Sequence, residues 1–148
     1  MTPRDRFGTA ALLLGAATQL VDDIQSGLAE HGFDDVRPSH GFAFVRISRG
    51  DATMVDVAHH LGISKQAASQ LVEQLVQRGY VKRTQHPTDA RSSVLSLTTQ
   101  GWACTKAAEE SAARTIAMWE QAVGRANMES LTSTLQAVVA PGPIRPAW

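Results

Sequence analysis

The stretch that most limits what this chain can fold into runs from Thr53 to Gly79: "TMVDVAHHLGISKQAASQLVEQLVQRG". It has room for two short helices and almost nothing between them. Thr53 is placed as an N-cap, with Asp56 at the third helical position in a capping-box variant. Met54, Val57, Ala58 and Leu61 follow the i, i+3, i+4, i+7 rhythm of a one-sided helix. Gly62 stops that helix, and Ser64 caps the next only two residues later. The second helix carries Ala67, Ala68, Leu71, Val72, Leu75 and Val76 on one face and ends at Gly79. Two short helices around a Gly-containing turn are a helix-turn-helix signature. They also describe an ordinary helical hairpin in an all-α domain.

The residues that follow favour the first reading. "YVKRTQH" (80–86) and "SVLSLT" (93–98) read as strands, with the turn formers "PTDARS" between them. A hairpin directly after the second helix makes a winged helix. Upstream, Phe7, Leu14, Val21 and Leu28 recur every seven residues, with Ala10, Ala17 and Ile24 at the other seam position. This predicts a helix over 5–31, stopped near Gly32, and then a second helix capped by Ser39 and running to about Ile47. Downstream, a helix from Thr98 or Thr99 presents Cys104, Ala108, Ala112, Ile116, Trp119 and Val123 as one stripe. Asn127 is the expected cap of a last helix with Met128, Leu131, Leu135 and Val138 inside. The fold class is therefore mainly α with a small β-hairpin wing. One domain covers 1–148: a winged helix-turn-helix core (39–104) flanked by helices at 5–31 and 105–139, then a Pro-rich tail at 140–148. The flanking helices carry more apolar seam than the core needs, which implies a second copy of the chain as partner.

Composition fits one domain of 148 residues, 43% of them hydrophobic. Fourteen basic and fourteen acidic residues cancel, which argues against a globally basic nucleic-acid coat but leaves room for a local patch. From Gly62 to Arg91 the bases are Lys65, Arg78, Lys82, Arg83 and Arg91, against the acids Glu73 and Asp89. From Val21 to Asp35 there are only acids: Asp22, Asp23, Glu30, Asp34 and Asp35. One end should attract phosphate and the other repel it. The single cysteine, Cys104, rules out an internal disulfide framework and fits a reducing, cytoplasmic setting. Arg4 and Arg6 before "FGTAALLLGAA" faintly resemble a signal peptide, but Asp5 interrupts the positive region. The apolar run is also far short of the ~20 residues of a membrane span, so no membrane partner is expected.

In order, these elements resemble the MarR family of dimeric bacterial transcription regulators. The resemblance is carried by "DVAHHLGISKQAASQLVEQLVQRGYVKR", by "DAR" in the wing and by "LSLTTQG" at the opening of the long helix. It implies a homodimer whose terminal helices interlock, binding double-stranded DNA at a pseudo-palindromic operator. It implies that the amide- and serine-rich face of the second short helix enters the major groove, with Ser64, Lys65, Gln66, Ser69 and Gln70 as contacts. Gln can read adenine bidentately, and Ser can bond either kind of base edge. Lys82 and Arg83, directly after that helix, are expected as DNA contacts of the wing. At the wing tip the resemblance implies that Arg91 enters the minor groove and that Asp89 holds it in place. Ser92 and Ser93 stand where many relatives have further bases, which implies a weaker wing. The resemblance also implies repression of nearby genes, relieved by a small aromatic effector bound among Phe42, Val45, Trp102 and Trp119. Plain core packing is an equal reading of those four.

No GxSxG, phosphate loop or HExxH is present, so no enzyme is expected. His59 and His60 are adjacent and about 100° apart on a helix, so they cannot share one metal. No metal or other cofactor is expected. Cys104 on an apolar stripe reads as a small core residue, and a redox switch would need it exposed with a lowered pKa. The competing function is a winged-helix protein-interaction module that dimerises without specific DNA binding.

Overall fold

A computed structural model describes residues 1–142. The order is α1 (Pro3–Glu30), α2 (Pro38–Ser48), α3 (Met54–Leu61), α4 (Lys65–Gln77), β1 (Val81–Gln85), β2 (Ser93–Leu97), α5 (Thr99–Val123) and α6 (Arg125–Val138). This is a mostly helical chain with one antiparallel hairpin, the winged-helix architecture expected from the sequence. Of the Pro-rich tail, residues 140–142 are exposed, and 143–148 lie outside the described residues.

The α3–α4 unit forms for the local reasons given above. The Thr53 hydroxyl accepts from the Asp56 N–H, while the Asp56 carboxylate accepts from the Thr53 N–H at 2.8 Å. Gly62 takes φ +66°, a left-handed position that a Cβ disfavours, and lets the Ile63 N–H reach back to the Ala58 carbonyl. The Ser64 hydroxyl then accepts from the Ala67 N–H at 3.1 Å and starts α4. Ala68, Val72 and Leu75 of α4 are buried, whereas Ala67, assigned to the same face from the sequence, is exposed.

Behind α4 lies one core, built from Phe44, Ile47, Val57, Leu61, Val72, Leu75, Tyr80, Val81, Leu95, Leu97 and Cys104. Tyr80 is its largest fully buried side chain, with ring centroids 6.2 Å from Phe33 and 5.8 Å from Phe44. The hairpin pairs Val81 with Leu97 and Arg83 with Leu95, so Val81, Leu95 and Leu97 anchor the wing in the core. Ala52 adds an isolated bridge to Leu95, through an N–H to carbonyl bond of 2.7 Å. A single residue between Asp51 and Thr53 leaves no strand pattern to read. Gly101 packs so tightly that a Cβ there would overlap the Tyr80 carbonyl. This is the physical demand behind the glycine in "LSLTTQG".

Three expectations need correction. The cap of α2 is Arg37, because Pro38, with its preset φ, takes the first helical position that Ser39 was expected to precede. The Arg37 N–H donates to His40 Nδ1 at 3.0 Å. The cap of α6 is Gly124, and the Asn127 side chain instead donates to the Val123 carbonyl at 2.8 Å. The buried face of α5 is Gly101, Cys104, Ala107, Ser111 and Thr115, while Ile116 and Val123 of the expected stripe are exposed. The cause is a close crossing of α1: a Cβ at Gly27 would overlap the Ser111 side chain, so only small residues fit. Ser111 donates to the Ala107 carbonyl (2.7 Å) and Thr115 to Asp23 (3.1 Å), which satisfies both buried hydroxyls. The seven-residue seam of α1 packs on its own chain only in its second half. Leu28 is buried and Val21 and Ile24 half-buried, but Phe7 and Leu14 are 77% and 64% exposed.

Candidate nucleic-acid interface

α4 presents its N-terminal half outward. Ser64, Lys65, Gln66, Ser69 and Gln70 are all exposed. The Ser64 hydroxyl caps the helix, whereas the side chains of Lys65, Gln66, Ser69 and Gln70 make no hydrogen bond or ion pair among the described residues. A shallow hollow along this face is lined by Ser69, Gln70, Glu73, Gln74 and Gln77. A second groove, of about 230 Å³, opens between α4 and the wing. Lys65, Ser69, Arg83 and Arg91 line it together, with Ser92 and Ser93 beside them. Residues on three elements thus converge beside the exposed helix face.

Not every expected contact points there. Successive strand residues face opposite sides, so Lys82, paired with Ser96, lies on the other side of the ribbon from Arg83. Arg83 reaches back to α4, with its guanidinium 3.0 Å from the Glu73 carboxylate. Glu73 therefore ties the wing to the helix, a role the sequence alone did not suggest. Arg78, also counted in the basic module, lies over the connector, where it donates to the Asp35 carbonyl at 2.7 Å and approaches its carboxylate at 3.9 Å. Among the described residues Lys65, Lys82 and Arg91 have no carboxylate within 4.0 Å and carry the uncompensated charge. At the wing tip the Asp89 carboxylate accepts the Arg91 backbone N–H at 3.0 Å, and the Asp89 carbonyl accepts from Ser92 at 3.1 Å. Asp89 thus shapes the turn that projects Arg91, through the backbone and not through the guanidinium.

Asp35, read from the sequence only as part of an acidic run, holds the far end of α4. Besides Arg78, it accepts the Tyr80 hydroxyl at 2.6 Å. Burial and this carboxylate push the Tyr80 phenol well above its ordinary range.

Of the four residues expected around an effector, Phe42 and Val45 line a half-open cavity of about 170 Å³ between α1, α2 and α5. Trp102 and Trp119 do not. α5 meets this cavity only at Ala108, and at 1.5 Å per residue the two tryptophans stand about 9 and about 16 Å away along the helix. Trp102 is 51% exposed. Cys104 is buried, and its desolvation pushes the thiol up to about 11, the opposite of what a reactive thiolate needs.

The arrangement defines a winged helix-turn-helix protein with a presented polar helix and a basic wing. Residues 35–92 match the model of the MarR family. Solved structures extend the likeness over most of the chain. RV1404 from Mycobacterium tuberculosis is 24% identical over 86% of this chain and 88% of its own, with a TM-score of 0.76. MarR from E. coli is 18% identical over 95% and 99%, with a TM-score of 0.72. The transcriptional repressor CouR, solved bound to a 23-mer DNA duplex, is 25% identical over 86% and 89%, with a TM-score of 0.69. No curated protein sequence matches. The fold of this chain is that of the MarR-family transcription regulators.

Proposed function

We propose that the chain is a sequence-specific, double-stranded-DNA-binding transcription regulator, acting in the cytoplasm as a homodimeric repressor of nearby genes that a small molecule relieves. The observation that carries this reading is the convergence of Lys65, Ser69, Arg83 and Arg91 on the groove beside an exposed, amide-rich helix face. A major groove ~12 Å wide admits one such helix. Gln66, Ser69 and Gln70 are suited to base edges, and Lys65 and Arg91 to phosphate and minor groove. Asp89 prearranges the tip, and the Arg83–Glu73 pair fixes the wing relative to the helix. The outward α1 seam supports a second copy, whose own α4 would read the other half-site about one helical turn (~34 Å) away. No helix among the described residues is long and apolar enough to cross a membrane.

The test is a binding titration against the DNA flanking the protein's own gene at several salt concentrations. Tight, sequence-selective binding with a log–log salt slope near −0.9 per phosphate contact is expected. Absence of binding at low salt would overturn the reading and bring the protein-partner alternative forward.

A further inference from the structure

One carboxylate stands on the presented face of α4. Gln66, Ser69, Gln70, Glu73 and Gln77 recur at helical spacing along that face, and all are exposed. The hollow there is lined by Ser69, Gln70, Glu73, Gln74 and Gln77. Apart from Glu73, these side chains are amides and a hydroxyl, each able both to donate and to accept. Glu73 only accepts, and it is the one acid between Lys65 and Gln77. An acid on a surface that meets phosphate weakens every encounter with a duplex unless it finds a donor. Its ion pair with the wing does not account for it. Side-chain exposure is 37% for Arg83 and 49% for Glu73, and pairs this open to water add little. Val81, Leu95 and Leu97 already anchor the wing in the core.

The ion pair occupies only half of the carboxylate. Arg83 Nη2 approaches Glu73 Oε2 at 3.0 Å, and Oε1 has no partner among the described residues. In the major groove cytosine offers an N4 amino donor and no acceptor. Adenine sets its N7 acceptor beside its N6 donor, guanine offers acceptors only, and thymine an acceptor and a methyl group. A carboxylate oxygen is therefore satisfied at cytosine, and left desolvated against a lone pair at guanine or thymine.

From this geometry we propose that Glu73 is a specificity-determining residue: Oε1 accepts from the N4 amino group of a cytosine while Oε2 stays with Arg83. The proposal rests on the DNA-binding function proposed above and adds a base identity to it. Glu73 stands seven positions beyond Gln66, about 10 Å along the helix, so it addresses a different base pair. Its action is chiefly exclusion. The amides around it can turn to suit several bases, whereas a fixed acceptor rejects those that offer no donor.

The test selects duplexes from a randomised pool with full-length wild type, Glu73→Gln and Arg83→Gln. Each protein is then titrated against the selected duplex with single base pairs changed. The wild type should enrich a cytosine at one position of each half-site. Replacing that cytosine by thymine should weaken wild-type binding about tenfold or more, and leave Glu73→Gln nearly unaffected. Preferences at the other positions should persist in the variant. Non-specific duplex should bind Glu73→Gln at least as tightly as wild type, because a negative charge has left the face that meets phosphate. Glu73→Ala should behave as Glu73→Gln does. Arg83→Gln breaks the same ion pair from the wing side; it should weaken binding to all duplexes and keep the cytosine. Selected wild-type sites with no shared cytosine, or a cytosine preference that survives in Glu73→Gln, overturn the proposal. So does a Glu73→Gln that weakens every duplex alike, since Glu73 would then only tie wing to helix. Loss of the cytosine in Arg83→Gln overturns it as well, by assigning the preference to the ion pair. A wild type that enriches no sequence overturns the DNA-binding reading itself, so the wild-type selection alone tells the two failures apart.

Discussion

Gln66 and Arg91 divide the proposed recognition into two kinds of contact that can be told apart. Gln66 lies on the exposed face of α4, and its amide suits a base edge. Gln66→Ala should cut the discrimination at one base pair by about 1–3 kcal/mol while leaving non-specific binding unchanged. Arg91 sits on a turn prearranged by Asp89. Arg91→Ala should weaken specific and non-specific duplex alike and flatten the salt slope by about one contact. Titrations against a base-substituted operator series separate the two. A third residue predicts behaviour with pH. His40 is 3% exposed, and its desolvation, together with the charges of Arg78 and Arg37, holds its pKa below the ordinary 6.5, against the opposing pull of Asp35 and Gln74. On acidification the unfolded chain takes up this proton first, so the stability is complete above about pH 6.5 and drains as pH falls below it. The melting temperature should drop between about pH 7 and about pH 5.5. His40→Gln should make that drop shallower, and an unchanged slope would remove His40 as its source. At this scale the sequence was legible where the interaction is local. The Thr53–Asp56 cap is readable from a three-residue spacing. Arg83–Glu73 is not, because it depends on how the hairpin register meets the α4 face.

The elements show the same division. α3, α4 and the hairpin were readable because caps, stop glycines and apolar periodicity agree over short spans. The buried face of α5 departs from its apolar pattern. Its large apolar residues mark a stripe through Ile116 and Val123, but the chain buries Ala107, Ser111 and Thr115, whose small size lets α1 approach at Gly27. Periodicity weighs hydrophobicity, whereas a close helix crossing selects volume. Gly101 is the other position where volume rules. Gly101→Ala would drive a methyl group into the Tyr80 carbonyl, between the start of α5 and the root of the wing. Overpacking of this kind costs about 1–3 kcal/mol. Chemical denaturation should show a loss of that order, and DNA binding should fall with it as β1 is displaced. A variant as stable as the wild type would mean that α5 can slide at no cost.

In the whole molecule, the exposed seam of α1 dominates. Phe7, Leu12 and Leu14 are each more than 60% exposed, as are Val138 and Val139 at the end of α6. An exposed apolar run of this length marks an interface. Leu14→Glu should convert a particle of twice the chain mass into one of single mass by light scattering. A wild type that is already monomeric at micromolar concentration would refute the homodimer. The heptad spacing of Phe7, Leu14, Val21 and Leu28 was visible in the sequence, but not where it divides: Leu28 serves its own core and Phe7 points away from it. Among the described residues of a single chain, the first half of α1 finds nothing to fold against. In the proposed homodimeric regulator, such a helix would make the amount of protein a variable of the control circuit. Where most chains are unpaired, the population of paired chains grows as the square of the number synthesised. A modest change in expression would then be felt at the promoter as a steeper change in occupancy.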